Sequence, residues 1–87
     1  MKIVKEEKDS MELETDDLTL ASFLVKYLNM SEKIDYASFR QEHPLEEKIL
    51  IFFKVKEGSP REVLKETLKK MESDVKELRD LLLNSLK

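Results

Sequence analysis

Residues 48–56, KILIFFKVK, carry the clearest alternation in the chain. In a strand, successive side chains point to opposite faces. Ile49, Ile51, Phe53 and Val55 therefore share one face. Leu50 and Phe52 lie on the reverse face, before it turns basic at Lys54 and Lys56. The centre of this strand is expected to be covered on both sides. Two shorter segments, 2–6 (KIVKE) and 11–15 (MELET), are β-branched or alternate with period two, and the polar EKDS between them predicts a hairpin turn. Residues 34–42, IDYASFRQE, predict a further strand of mixed alternation.

The pattern changes period between these segments. Asp16 and Asp17 precede LTLASFLVKYLNM, and either carboxylate can accept the orphan N–H groups of a helix start. On a helical wheel, Leu18, Ala21, Val25 and Leu28 form one apolar group. Leu20, Phe23, Leu24 and Tyr27 form a second beside it. Only Thr19, Ser22, Lys26 and Asn29 make a polar strip. A surface helix ordinarily shows one apolar stripe of about 100°, and this one is apolar over roughly twice that arc. One group can face the sheet; the other needs a second cover. At the second helix, Ser59, Pro60 and Glu62 are spaced as a capping box with proline at the first helical position. From Leu64 the apolar residues Leu68, Met71, Val75, Leu78 and Leu82 follow at spacings of four and three, the seam of a packed helix. A helix over residues 60–87 would run about 40 Å at about 1.5 Å per residue, longer than the roughly 30 Å width of so small a domain. Leu81, Leu82, Leu83 and Leu86 at its end predict a covered overhang. The order ββαββα predicts an α+β two-layer sandwich: a four-stranded antiparallel sheet with both helices on one face and a long C-terminal helix. The 87 residues are expected to form one domain, 1–87.

Composition narrows the chemistry. The 16 basic and 19 acidic residues are interleaved and sum to a net charge of −3, with no basic stripe to neutralise phosphates, so direct nucleic-acid binding is not expected. With no cysteine, thiolate metal sites and cysteine nucleophiles are excluded. With one glycine, Gly58, no phosphate-cradling glycine loop can be built. No apolar run approaches the roughly 20 residues that cross a bilayer, and the N-terminus lacks the core of a signal peptide. A soluble, cytoplasmic chain is expected. His43 is the one histidine. Catalysis by it would need an orienting partner and a nucleophile, and a metal site could add only carboxylates such as Glu46 and Glu47. Pro44 behind it disfavours helix at His43, so HPLEE reads more simply as a strand-to-strand connection. No catalytic residue, cofactor or metal is expected. The surplus apolar surface of the two helices instead points to a protein partner.

Two motifs carry a family resemblance. Residues 17–24 read Asp-Leu-Thr-Leu-Ala-Ser-Phe-Leu, and Glu42-His43-Pro44-Leu45 follows at the connection. The chain resembles the archaeal RNA polymerase subunit L family, relatives of the small assembly subunits of nuclear polymerases and of the N-terminal domain of the bacterial alpha subunit. The family's first helix opens acidic-His-Thr-Leu-Gly-Asn-Leu-Leu. Asp17, Thr19, Leu20 and Leu24 match it, while Leu18, Ala21 and Ser22 replace the His, Gly and Asn. Glu42, His43, Pro44 and Leu45 match the second motif in full, and Lys48-Ile49 and Pro60 also agree. The resemblance spans nearly the whole chain. It implies a non-catalytic subunit of RNA polymerase that pairs through its helices with the larger D subunit and so forms the platform for the large catalytic subunits. The implied interface is Leu20, Phe23, Leu24, Tyr27, Val75, Leu78, Leu82 and Leu86. His43 would then shape a turn that contacts another subunit. Two other readings stay open. One is a homodimeric interaction module of unrelated function; the isolated chain could also self-associate. The other is an enzyme on the similar fold of pterin dehydratases, which rely on several histidines where this chain has one.

Overall fold

A computed structural model of the chain describes residues 1–41 and 47–74. Its elements follow in the order β1 (Lys2–Glu6), β2 (Ser10–Thr15), α1 (Leu18–Met30), β3 (Ile34–Gln41), β4 (Ile49–Val55) and α2 (Pro60–Asp74). The four strands form one sheet in the order β1-β2-β4-β3, and every neighbouring pair is antiparallel. Since β2 and β3 both oppose β4, they run the same way, joined by α1, with β4 inserted between them. The expected two-layer α+β architecture is the one observed. The long C-terminal helix expected from the sequence falls, past Asp74, outside the described residues.

Alternation decides the layering. Met11, Leu13, Ile49, Ile51, Phe53, Val55, Ile34 and Ala37 are buried on the helix side of the sheet. Against them pack Leu20, Ala21, Leu24 and Leu28 of α1 and Val63, Leu64 and Met71 of α2, in one continuous cluster. The reverse side of β4 departs from expectation. Leu50 and Phe52 are half-buried, and no described helix lies over them. Phe52 takes part of its cover from within the sheet: the Tyr36 and Phe52 rings lie 5.6 Å apart at 37°, a tilted contact that aromatic quadrupoles favour.

Element ends follow local chemistry. Asp17 is the N-cap of α1, its Oδ1 accepting the Leu20 N–H at 3.0 Å, and its own N–H donates to Thr15 Oγ1 at 3.1 Å. Ser59 caps α2 by accepting the Glu62 N–H at 3.2 Å, as the capping-box spacing predicts. Before it, Gly58 adopts φ +76°, the left-handed region that favours glycine. The strand limits shift slightly from those read off the alternation. β2 starts one residue early, because Ser10 pairs with Lys54. β4 ends at Val55, whose N–H donates to Asp9 O at 2.8 Å, leaving Lys48 and Lys56 as flanks.

Ion pairs tie α2 to the rest of the described residues. Lys33 Nζ donates to both carboxylate oxygens of Glu66, at 3.3 and 3.2 Å. Arg61 forks onto Glu6 at the end of β1, Nε to Oε2 at 3.1 Å and Nη2 to Oε1 at 2.6 Å. Hydrogen bonding from Arg61 holds the Glu6 carboxyl below its ordinary range. A lowered carboxylate pKa adds stability above the unfolded value, and acidification removes it. Comparing wild type with Glu6→Gln by thermal melts should therefore show a wild-type advantage at neutral pH. That advantage should shrink as pH falls below roughly 4.3, the ordinary glutamate value. A difference independent of pH would mean that the fork carries no net charge effect.

Candidate functional site

The two helices lie side by side on one face of the sheet, and the candidate surface runs along the flank of α1 that faces α2. Successive helical residues turn by about 100°. The four fully buried side chains of α1, Leu20, Ala21, Leu24 and Leu28, define the stripe that meets the sheet. This corrects the wheel reading in which one apolar group faces the sheet and the other faces away. The helix rests on the seam between the two groups, taking Ala21 and Leu28 from one and Leu20 and Leu24 from the other. The outer members of each group are left on opposite flanks. Val25 and Leu18 lie on one flank; Phe23, Tyr27 and Met30, at spacings of four and three, lie on the other.

Leu20 and Leu24 have no accessible surface in the folded chain. As interface candidates they could act only by holding the helix in place. Phe23 and Tyr27 are half-buried, packed against the core on one side and open on the other. Met30 and Leu18, absent from the interface that the resemblance implies, are each 59% exposed. Apolar identity at helical spacing to Phe23 and Tyr27 is the sequence signal that marks Met30. Val75, Leu78, Leu82 and Leu86 lie outside the described residues, as do Glu42, His43, Pro44 and Leu45.

Tyr27 sits where α1 meets α2. Burial, then the neighbouring Asp74 charge and a hydrogen bond to its carboxylate, raise the hydroxyl above the ordinary tyrosine value. A shallow groove of about 140 Å³ beside it is lined by Ser31, Glu66, Thr67 and Lys70. Apart from the Tyr27 ring, every side chain that lines it carries a hydroxyl or a charge. Among the described residues no three His, Cys, Asp or Glu side chains are grouped to hold a metal ion. No described helix is long and apolar enough to cross a membrane.

Two helices on one face of a four-stranded antiparallel sheet define a two-layer α+β domain. The family described as the RNA polymerase Rpb3/Rpb11 dimerisation domain matches residues 9–81. The chain belongs to this RNA polymerase Rpb3/Rpb11 dimerisation-domain family. Its relatives include DNA-directed RNA polymerase subunit Rpo11 of Pyrobaculum aerophilum, 34% identical over 80 residues, 90% of this chain and 87% of that protein. Rpo11 of Korarchaeum cryptofilum is 43% identical over 54 residues, 61% of this chain and 55% of that protein, so the match spans about half its length. Among solved structures, DNA-directed RNA polymerase subunit L of Thermoplasma acidophilum has a TM-score of 0.74 at 25% identity. That match covers 95% of this chain and 84% of the other. The family resemblance carried by the two sequence motifs is thereby established.

Proposed function

We propose that this chain is the small, non-catalytic partner of the D subunit of RNA polymerase, acting in the cytoplasm as one dimerisation domain. In this reading the pair forms the platform on which the large catalytic subunits assemble. The observation that carries it is the half-covered apolar flank of α1, Phe23, Tyr27 and Met30, beside α2. A contiguous apolar flank of this kind is costly to leave in water and gains by burial against a partner helix. Phe23 and Tyr27 are the anchors. Val75, Leu78, Leu82 and Leu86 extend the surface on the strength of their helical spacing. Glu42, His43, Pro44 and Leu45 form a contact with another subunit, and the chain contributes no group to catalysis.

Co-expression with the D subunit of the same organism tests this. The expected result is a one-to-one complex on size exclusion with light scattering, to which the large subunits add. A chain that elutes alone or only with itself in the presence of a folded D subunit would overturn the proposal.

A further inference from the structure

β3 is an outer strand of the sheet and its longest, eight residues without glycine or proline. Its sequence IDYASFRQ is rich in strand formers, with Tyr36 48% and Phe39 39% exposed. A strand of this kind at an edge offers a row of N–H and C=O groups to any incoming strand. Charge alone does little to guard it: Asp35 and Arg40 are its only ionisable groups besides Tyr36. The opposite edge, β1, is defended by other means. It carries a register irregularity between Ile3 and Lys5 and two lysines, Lys2 and Lys5, features that discourage strand addition.

At its middle, the β3 edge is met by a side chain. Asn29, in the last turn of α1, donates from Nδ2 to the Ala37 carbonyl at 3.1 Å and accepts the Ala37 N–H on Oδ1 at 3.0 Å. A primary amide has the same donor and acceptor as a peptide unit, so this two-point contact reproduces one rung of a ladder. It takes both outward groups of Ala37. By the two-residue repeat of an antiparallel pair, the Phe39 backbone groups point the same way as those of Ala37.

We propose that Asn29 stands in for a fifth strand and closes the β3 edge to a second copy of this chain. The excluded pairing is antiparallel β3 against β3, with Ser38 opposite Ser38. That register sets Ala37 opposite Phe39, which keeps the outward groups facing one another, and it places each Tyr36 ring beside an Arg40 guanidinium. The alternative register centred on Ala37 would set Asp35 against Phe39. The surface is distinct from the helix flank through which the chain is proposed to meet the D subunit, so failure of either proposal leaves the other standing.

The test uses the full chain as wild type, Asn29→Ala, Asn29→Ser and Asn29→Ala/Phe39→Pro. Amide exchange by NMR is read together with sedimentation over a range of concentrations. In dilute wild type the Ala37 N–H should exchange slowly, and in the single variants at least about tenfold faster, the factor for losing about 1.4 kcal/mol of protection. At higher concentration the single variants should gain an association step absent from wild type, with protection returning over residues 35–41. Phe39→Pro should remove that step, because proline supplies no outward N–H. Folded single variants that sediment like wild type throughout would overturn the proposal. So would equal Ala37 exchange in all forms. If neither single variant folds, wild type decides: the Ala37 N–H and the Asn29 side-chain NH2 must both be protected, and fast exchange of either overturns the assignment.

Discussion

Leu24→Asp is expected to unfold the chain. Leu24 is fully buried among the residues that join α1 to the sheet. Removing a buried leucine costs about 2–5 kcal/mol through lost transfer energy and the cavity left behind. The aspartate adds the desolvation of a carboxylate with no partner, a further several kcal/mol, or it binds a proton and stays as an unsatisfied polar group. At about 0.05–0.15 kcal/mol per residue, a domain of this length has a total stability of roughly 4–13 kcal/mol. The substitution consumes most or all of it. Circular dichroism should show no cooperative melt at neutral pH, or a Tm lowered by more than about 20 °C, since 1 kcal/mol moves Tm by about 4–8 °C in a domain of this size. A variant melting within about 10 °C of wild type would place Leu24 outside the core.

Phe23→Asp, one residue earlier, should do the opposite. Phe23 is half-buried and keeps one side open. Fold stability should fall by only about 1–2 kcal/mol, within the usual range for substitutions outside the sealed core. Affinity for the D subunit should fall at least about 30-fold, corresponding to the roughly 2 kcal/mol expected of an aromatic anchor at an interface centre. The new carboxylate would also be buried against the partner. Titration calorimetry of the folded variant reads this directly. Ser22→Asp on the polar strip is the matched control and should bind as wild type. If Phe23→Asp folded and bound with unchanged affinity, the proposed flank would not be the contact. The contrast between these neighbours separates residues that hold the helix from residues that meet a partner.

That separation was only half legible in the sequence. Helix starts could be read because capping is local: Asp17 serves a donor three residues on, and Ser59 does the same for Glu62. β4 could be read because burial imposes strict alternation on Ile49, Ile51, Phe53 and Val55. Which residues of α1 face inward could not be read, because a helix apolar over roughly half its circumference has several acceptable orientations. Packing against β3 and β4 selects one, and it falls on the boundary between the two apolar groups. Leu20 and Leu24 thus joined the candidate interface by pattern and the core by geometry, while Phe23 and Tyr27 keep open surface. Asn29 gave no signal at all. It sits in a polar strip where any hydrophilic residue would serve, and its partner, Ala37, becomes its neighbour only once α1 has docked along β3. Strand order was equally hidden, since alternation reports which face is buried and not which strand lies beside which.

The order β1-β2-β4-β3 also bears on how the chain matures. Among the described strands β4 is the last to leave the ribosome, yet it occupies an interior position and supplies the strand pairing of β3. A nascent chain ending before residue 49 holds β2 and β3 with a strand-wide gap between them, which α1 alone cannot bridge by backbone hydrogen bonds. The apolar face of the sheet is completed only when Ile49, Ile51, Phe53 and Val55 arrive together. Folding is thereby held back until β4 has emerged and made all-or-none. A subunit whose proposed task is to start an assembly cannot offer its first helix until a strand made well after that helix has been threaded into the sheet.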